Sequence, residues 1–89
     1  MNSERVKRIR TCLVGALAPD EIEVRDDSAA HAGHAGALTG KGHFSVHLRS
    51  SCFIDKSRLE RHRMVYAALG TLMQTDIHAL AIDARAPGE

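Results

Sequence analysis

The spacing of apolar residues switches between two periods along this chain, and the order of the switches leaves few folds open. Val6, Ile9, Leu13, Ala16 and Leu17 recur at helical spacing, so residues 3–17 read as an amphipathic helix. Asn2 or Ser3 can cap its start, and Pro19 stops it. Residues 21–26 alternate instead, with Ile22 and Val24 to one side and Glu21, Glu23 and Arg25 to the other, as in a half-buried strand. Residues 43–49 alternate again, with Phe44, Val46 and Leu48 inward and His43, Ser45, His47 and Arg49 outward. Ser57 and Glu60 then form an S-x-x-E capping box. It opens a second helix predicted over about 58–74, with Leu59, Val65, Leu69, Leu72 and Met73 toward the core. Residues 77–83 close the chain as a third strand.

The order is therefore α-β-β-α-β. A chain of 89 residues has room for one domain with a single two-layer core. The second helix would be about 25 Å long and the last strand about 23 Å, so the helices can lie lengthwise on a sheet. The strand–helix–strand unit at residues 43–83 predicts a right-handed crossover with parallel strands. The expected fold is α+β, with two helices on one face of a three-stranded mixed sheet. Residues 1–85 are assigned to a single domain and 86–89 to a flexible C-terminal tail.

One connection does not fit this economy. Residues 27–42 join two strands that could pair as a hairpin, where roughly two to five residues usually suffice. The segment carries Gly33, Gly36, Gly40 and Gly42, four of the chain's seven glycines, together with His31 and His34. A long loop with potential ligands points to function.

Histidine is the commonest metal-ligating side chain, and there are six here. The His43-x3-His47 spacing would suit a helix, but on a strand it separates Cα atoms by about 13 Å, too far for one ion. Both are therefore read as solvent-face residues. Strand parity puts His78 on the face of Leu80 and Ile82, the expected core side. That leaves two readings open, a buried structural group or a ligand at the core's edge. His62, between Arg61 and Arg63, is compatible with the surface, a cap or the core edge.

Composition excludes several classes. A net charge of +1 gives no global field toward nucleic acid or anionic lipid. Charge is nonetheless uneven: residues 20–27 hold five acids against Arg25, and residues 55–63 hold Lys56, Arg58, Arg61 and Arg63 against Asp55 and Glu60. No apolar run approaches the roughly 18 residues that span a membrane. The immediate entry into helix predicts no leader peptide, and Cys12 and Cys52, forty residues apart, read as reduced small hydrophobes. The expected compartment is the cytoplasm. With no HExxH motif and no nucleophile elbow, the chain is expected not to be an enzyme. Met64 and Tyr66 read as packing residues.

Asp27-Ser28 followed by the His31 loop, Gly42-His43-Phe44 entering a strand, the Ser50–Phe53 segment, Arg61-His62-Arg63-Met64-Val65-Tyr66 and Ile77-His78-Ala79-Leu80 together resemble the BolA family, over about residues 5–83. Gly42 stands where threonine or serine is common in the family, a departure expected to leave function intact. The resemblance implies a fold like a class II KH domain. It also implies a heterodimer with a monothiol CGFS-type glutaredoxin that shares a [2Fe–2S] cluster, in iron–sulfur trafficking or iron regulation. In such pairs the glutaredoxin cysteine and glutathione supply thiolates. This side would supply His78 and a loop histidine, His31, with His34 as the alternative. Alone, the chain would carry no cofactor and be a monomer or weak homodimer. Arg61, His62 and Arg63 would face the partner.

Chemistry agrees with that division, because two unclustered cysteines cannot hold a four-thiolate cluster, and mixed cysteine–histidine ligation has precedent in Rieske centres. A second class of function, implied by BolA-like proteins described as transcriptional regulators, is DNA binding through Lys56, Arg58, Arg61 and Arg63, with Arg49 as a further contact. The chain lacks the GxxG clamp of KH domains.

Overall fold

The computed structural model of the chain describes residues 3–28 and 41–89. Helix α1 (Ser3–Leu17) is followed by β1 (Glu21–Asp26), β2 (Gly42–Arg49), a 3-10 turn (Ser51–Phe53), α2 (Arg58–Leu69), the one-turn α3 (Leu72–Thr75) and β3 (Ile77–Arg85). The sheet order is β1-β2-β3. The first pair is antiparallel and the second parallel, the mixed sheet that the sequence predicts. No helix among the described residues is long and apolar enough to cross a membrane.

The inward stripe of α1 supplies Ile9, Leu13 and Leu17 to the core, where they meet Phe44, Val46 and Leu48 of β2, Phe53 of the 3-10 turn, Val65 and Leu69 of α2, and Ile77 of β3. The α1 stripe ends in a tight reversal: Ala18 takes φ 45° while its N–H still bonds the Val14 carbonyl, and Pro19 cannot extend the helix. The start of α2 is the predicted capping box. The Ser57 hydroxyl accepts from the Glu60 N–H at 3.1 Å, and the Glu60 carboxylate accepts from the Ser57 N–H at 2.8 Å.

Three features depart from the sequence reading. The predicted 58–74 helix breaks after Leu69, because Gly70 turns the chain with φ 54°, a conformation costly to any residue with a Cβ. Leu59, expected in the core, is 59 % exposed; it lies in the first turn of α2, and the buried positions of that helix are Val65 and Leu69. Residues 86–89, read as a flexible tail, are folded back onto the domain, with Ala86 buried and the Glu89 side chain bonded to Arg61.

Candidate functional site

The last strand begins at a heavily anchored point of the molecule. Asp76 closes α3, its N–H donating to the Leu72 carbonyl, and its side chain is nearly buried. The Thr75 hydroxyl donates to Oδ1 at 2.5 Å, and Oδ2 accepts from Arg5 Nε at 3.0 Å and Arg8 Nη2 at 3.1 Å. The Thr75 hydroxyl, helped by the two guanidiniums, holds this carboxyl below the usual carboxylate range against the opposing effect of burial. The Asp76 carbonyl accepts the Gly42 N–H at 2.9 Å. One residue thus ties α1, α3, the start of β2 and the start of β3 together.

A register shift lies at the same point. Gly42 pairs with Ile77, but His43 pairs with Ala79, so His78 is the extra residue of a β-bulge. The bulge reverses parity at the strand's start: Ile77 is buried and His78 exposed. The expectation that His78 shares the core face of Leu80 is corrected here, since alternation holds only while the ladder is unbroken.

On the outer side His78 meets His43. Their ring centroids lie 5.2 Å apart with the planes inclined by 50°. His43, half-buried, is held by its backbone: its N–H donates to Ser28 Oγ at 3.1 Å and its carbonyl accepts from the Asp27 N–H at 2.7 Å. Asp27 in turn accepts from the Ser45 hydroxyl. A shallow hollow of about 260 Å³ beside the pair is lined by Asp27, His43, Phe44 and the small outward residues Ala79 and Ala81. His31 and His34 lie outside the described residues, but both anchors of the segment that carries them, Ser28 and Gly42, sit against His43.

The remaining candidates are distributed elsewhere. His47 faces Asp83 across β2 and β3, Nδ1 to Oδ2 at 3.2 Å; Arg85, with His47 assisting, holds that carboxyl below its ordinary range. His62 is half-buried and Arg63 exposed on α2. Arg61 is turned inward, its side chain 14 % exposed and bonded to the Lys56 and Ala84 carbonyls. Arg49 pairs with Glu21 at 2.7 Å. Lys56 and Arg58 are exposed. Cys12 packs on the core; Cys52 lies against Ser50 and the Leu17 carbonyl; both thiols are free.

Two adjacent imidazoles offer two nitrogen donors to a metal centre. Among the described residues no group of three His, Cys, Asp or Glu side chains is placed to hold an ion. Sequence reasoning missed His43 as a neighbour of His78, because only the bulge brings the two rings to the same side. Gly42 is the signal that was available. A Cβ there would lie 2.6 Å from Phe44 Cε2 and 2.9 Å from Ser28 Oγ, so glycine permits the close approach to both groups at the position where the register shifts.

Comparison with known proteins adds a family to this geometry. The family described as BolA-like protein matches residues 13–89. The chain is 46 % identical over 81 residues to human BolA-like protein 1, covering 91 % of this chain and 57 % of that one. It is 40 % identical over 76 residues to the "DNA-binding transcriptional regulator BolA" of Escherichia coli, covering 85 % of this chain and 70 % of the relative. Among solved structures it resembles the BolA domain of SufE1 from Arabidopsis thaliana with a TM-score of 0.84 and 40 % identity, covering 96 % of this chain and 94 % of that one. The chain thus spans little more than half the length of the human relative.

Proposed function

The chain belongs to the BolA-like protein family, and on that premise we propose that it is a non-enzymatic partner of a monothiol glutaredoxin with which it shares a [2Fe–2S] cluster. The observation that carries this reading is the exposed His78 ring beside His43, at the point where both ends of the His31 segment are anchored. His78, fixed by the Asp76 anchor, is the rigid ligand. His31, with His34 as the alternative, is the loop ligand, and His43 lines the approach. The cluster, when bound, would supply one-electron redox chemistry and transferable iron and sulfide, with thiolates from the glutaredoxin and glutathione. Neutral imidazoles are required, so protonation competes with binding. One bond on a loop and one on a strand allow the first to release while the second holds. The reading includes a cytoplasmic location, supported by two free thiols.

The test is anaerobic reconstitution with a monothiol glutaredoxin, glutathione, iron and sulfide, followed by visible absorption and circular dichroism of the isolated heterodimer. A coloured heterodimer is expected; its absence would overturn the reading. His78→Ala should abolish the cluster spectrum. His43→Ala should keep it with altered visible dichroism, and His47→Ala should leave it unchanged.

A second reading, DNA binding, is favoured by the similarity to the E. coli regulator and by exposed Lys56, Arg58 and Arg63 around the start of α2. Replacing Arg58 and Arg63 by alanine should weaken promoter binding and reduce its salt slope by about one for each phosphate left without its cation. No measurable binding at moderate salt removes this reading.

A further inference from the structure

Among the described residues Arg61 is the most completely engaged cation. Its Nε donates to the Lys56 carbonyl at 2.9 Å, and Nη1 donates to the Ala84 carbonyl at 3.1 Å. The guanidinium carbon stands 6.0 Å from the centre of the Phe53 ring, itself buried. The fork is therefore fixed before anything meets it. What meets it is the Glu89 carboxylate, taken end-on by Nη1 to Oε1 at 2.5 Å and Nη2 to Oε2 at 2.9 Å. Oε1 also accepts the Ala86 N–H at 3.1 Å. Two guanidinium donors and a backbone amide converging on one carboxylate form an oxyanion cradle of the kind that arginine favours.

The space around it is far larger than a carboxylate needs. A cleft of about 610 Å³ has Lys56, Arg58, Arg61, Arg85, Asp83 and Glu89 in its walls. Four cations against two carboxylates leave a local charge of +2 with Glu89 in place. A phosphate, carrying about −1.5 to −2 at neutral pH and accepting with three oxygens, matches that excess better than one carboxylate does. We propose that this cleft between the start of α2 and the end of β3 is a phosphate-binding site, and that Glu89 is its tethered competitor. The inference is independent of the shared-cluster reading, since no histidine of that site takes part.

Arg61 and its neighbours hold the Glu89 carboxyl down at about 2, so the side chain stays ionised throughout the neutral range and leaves the cradle by displacement. The apparent affinity of an outside ligand is then reduced by the fraction of molecules in which the cradle is open.

The test is a nuclear magnetic resonance titration of the whole chain at constant ionic strength, following the Ala86 amide and the Arg61 Nε–Hε signals. The probes are inorganic phosphate and a short DNA duplex, with chloride as the reference. Glu89→Gln and Glu89→Ala should each bind phosphate at least about tenfold more tightly than the parent chain, as expected if the cradle is closed about 90 % of the time. Arg61→Lys in the Glu89→Gln background, checked for preserved signal dispersion, should lose the binding because the two-pronged fork is gone. If the duplex moves the same two signals at lower phosphate concentration, the ligand is a polynucleotide backbone; if only inorganic phosphate does, it is a free phosphate or monoester. The proposal is overturned if neither probe shifts these signals beyond chloride in the Glu89 variants, or if parent and variants bind alike.

Discussion

Replacing Asp76 by alanine removes three bonds to an ionised, nearly buried carboxylate at the junction of four elements. The Thr75 bond at 2.5 Å and the Arg5 bond at 3.0 Å are part-buried, with the Arg5 side chain 25 % exposed, whereas Arg8 is 52 % exposed. A hydrogen bond to a charged group contributes about 1.5–3 kcal/mol where it is shielded, and an exposed ion pair about 0–1 kcal/mol. Allowing for the Arg5 and Thr75 groups finding water in the variant, the loss should be about 2–3 kcal/mol. For a domain of this size that is roughly 8–24 °C in Tm, measurable by urea denaturation or calorimetry. The pH dependence carries a sign. The folded carboxyl sits below its unfolded value of 3.8, so its contribution is complete above that value and is lost as pH falls through the lower, folded one. The gap between parent and Asp76→Ala should therefore be full at neutral pH and shrink as pH falls below about 4. A gap under about 0.5 kcal/mol at pH 7, the range of an ordinary surface substitution, or one that widens toward acid, would refute the assignment of Asp76 as the anchor of the bulge.

Gly42→Ala drives a methyl to 2.6 Å from the buried Phe44 ring and against Ser28 Oγ; overpacking of this kind costs about 1–3 kcal/mol, and the His43 amide signal should move with it. Ser50 is 1 % exposed, and its hydroxyl serves both the Leu17 carbonyl and the Cys52 N–H. Ser50→Ala should accordingly cost about 1–3 kcal/mol by denaturation; a neutral result would mean that water replaces the hydroxyl. Ala18 occupies the left-handed region with φ 45°, at a cost of about 1–2 kcal/mol for a residue with a Cβ. Ala18→Gly should then raise the denaturation midpoint by the part of that strain not offset by glycine's unfolded entropy, about 0.5–1 kcal/mol, and a fall in stability would contradict the strain.

The element order, the bounds of α1 and β1, the capping box of α2 and the inward residues of β2 were all legible in the amino-acid order, because each follows from short-range chemistry: a repeat of 3.6 or 2, a side chain reaching three residues ahead, a proline without an N–H. The family motifs, spread over almost the whole chain, were equally plain. Which histidines meet is a matter of long-range packing. The parity rule that sent His78 toward the core assumes an unbroken ladder, and the ladder shifts between Gly42 and His43, where the Gly42 N–H bonds the Asp76 carbonyl, a contact between residues far apart in the chain. The fate of Arg61 is set in the same way. In the sequence that residue is one more cation in a basic run; in the fold its planar fork is filled by a carboxylate from residue 89. Local periodicity records which side of its own strand or helix a residue takes, whereas a site made by a register shift or a returning tail depends on long-range contacts that no local pattern encodes.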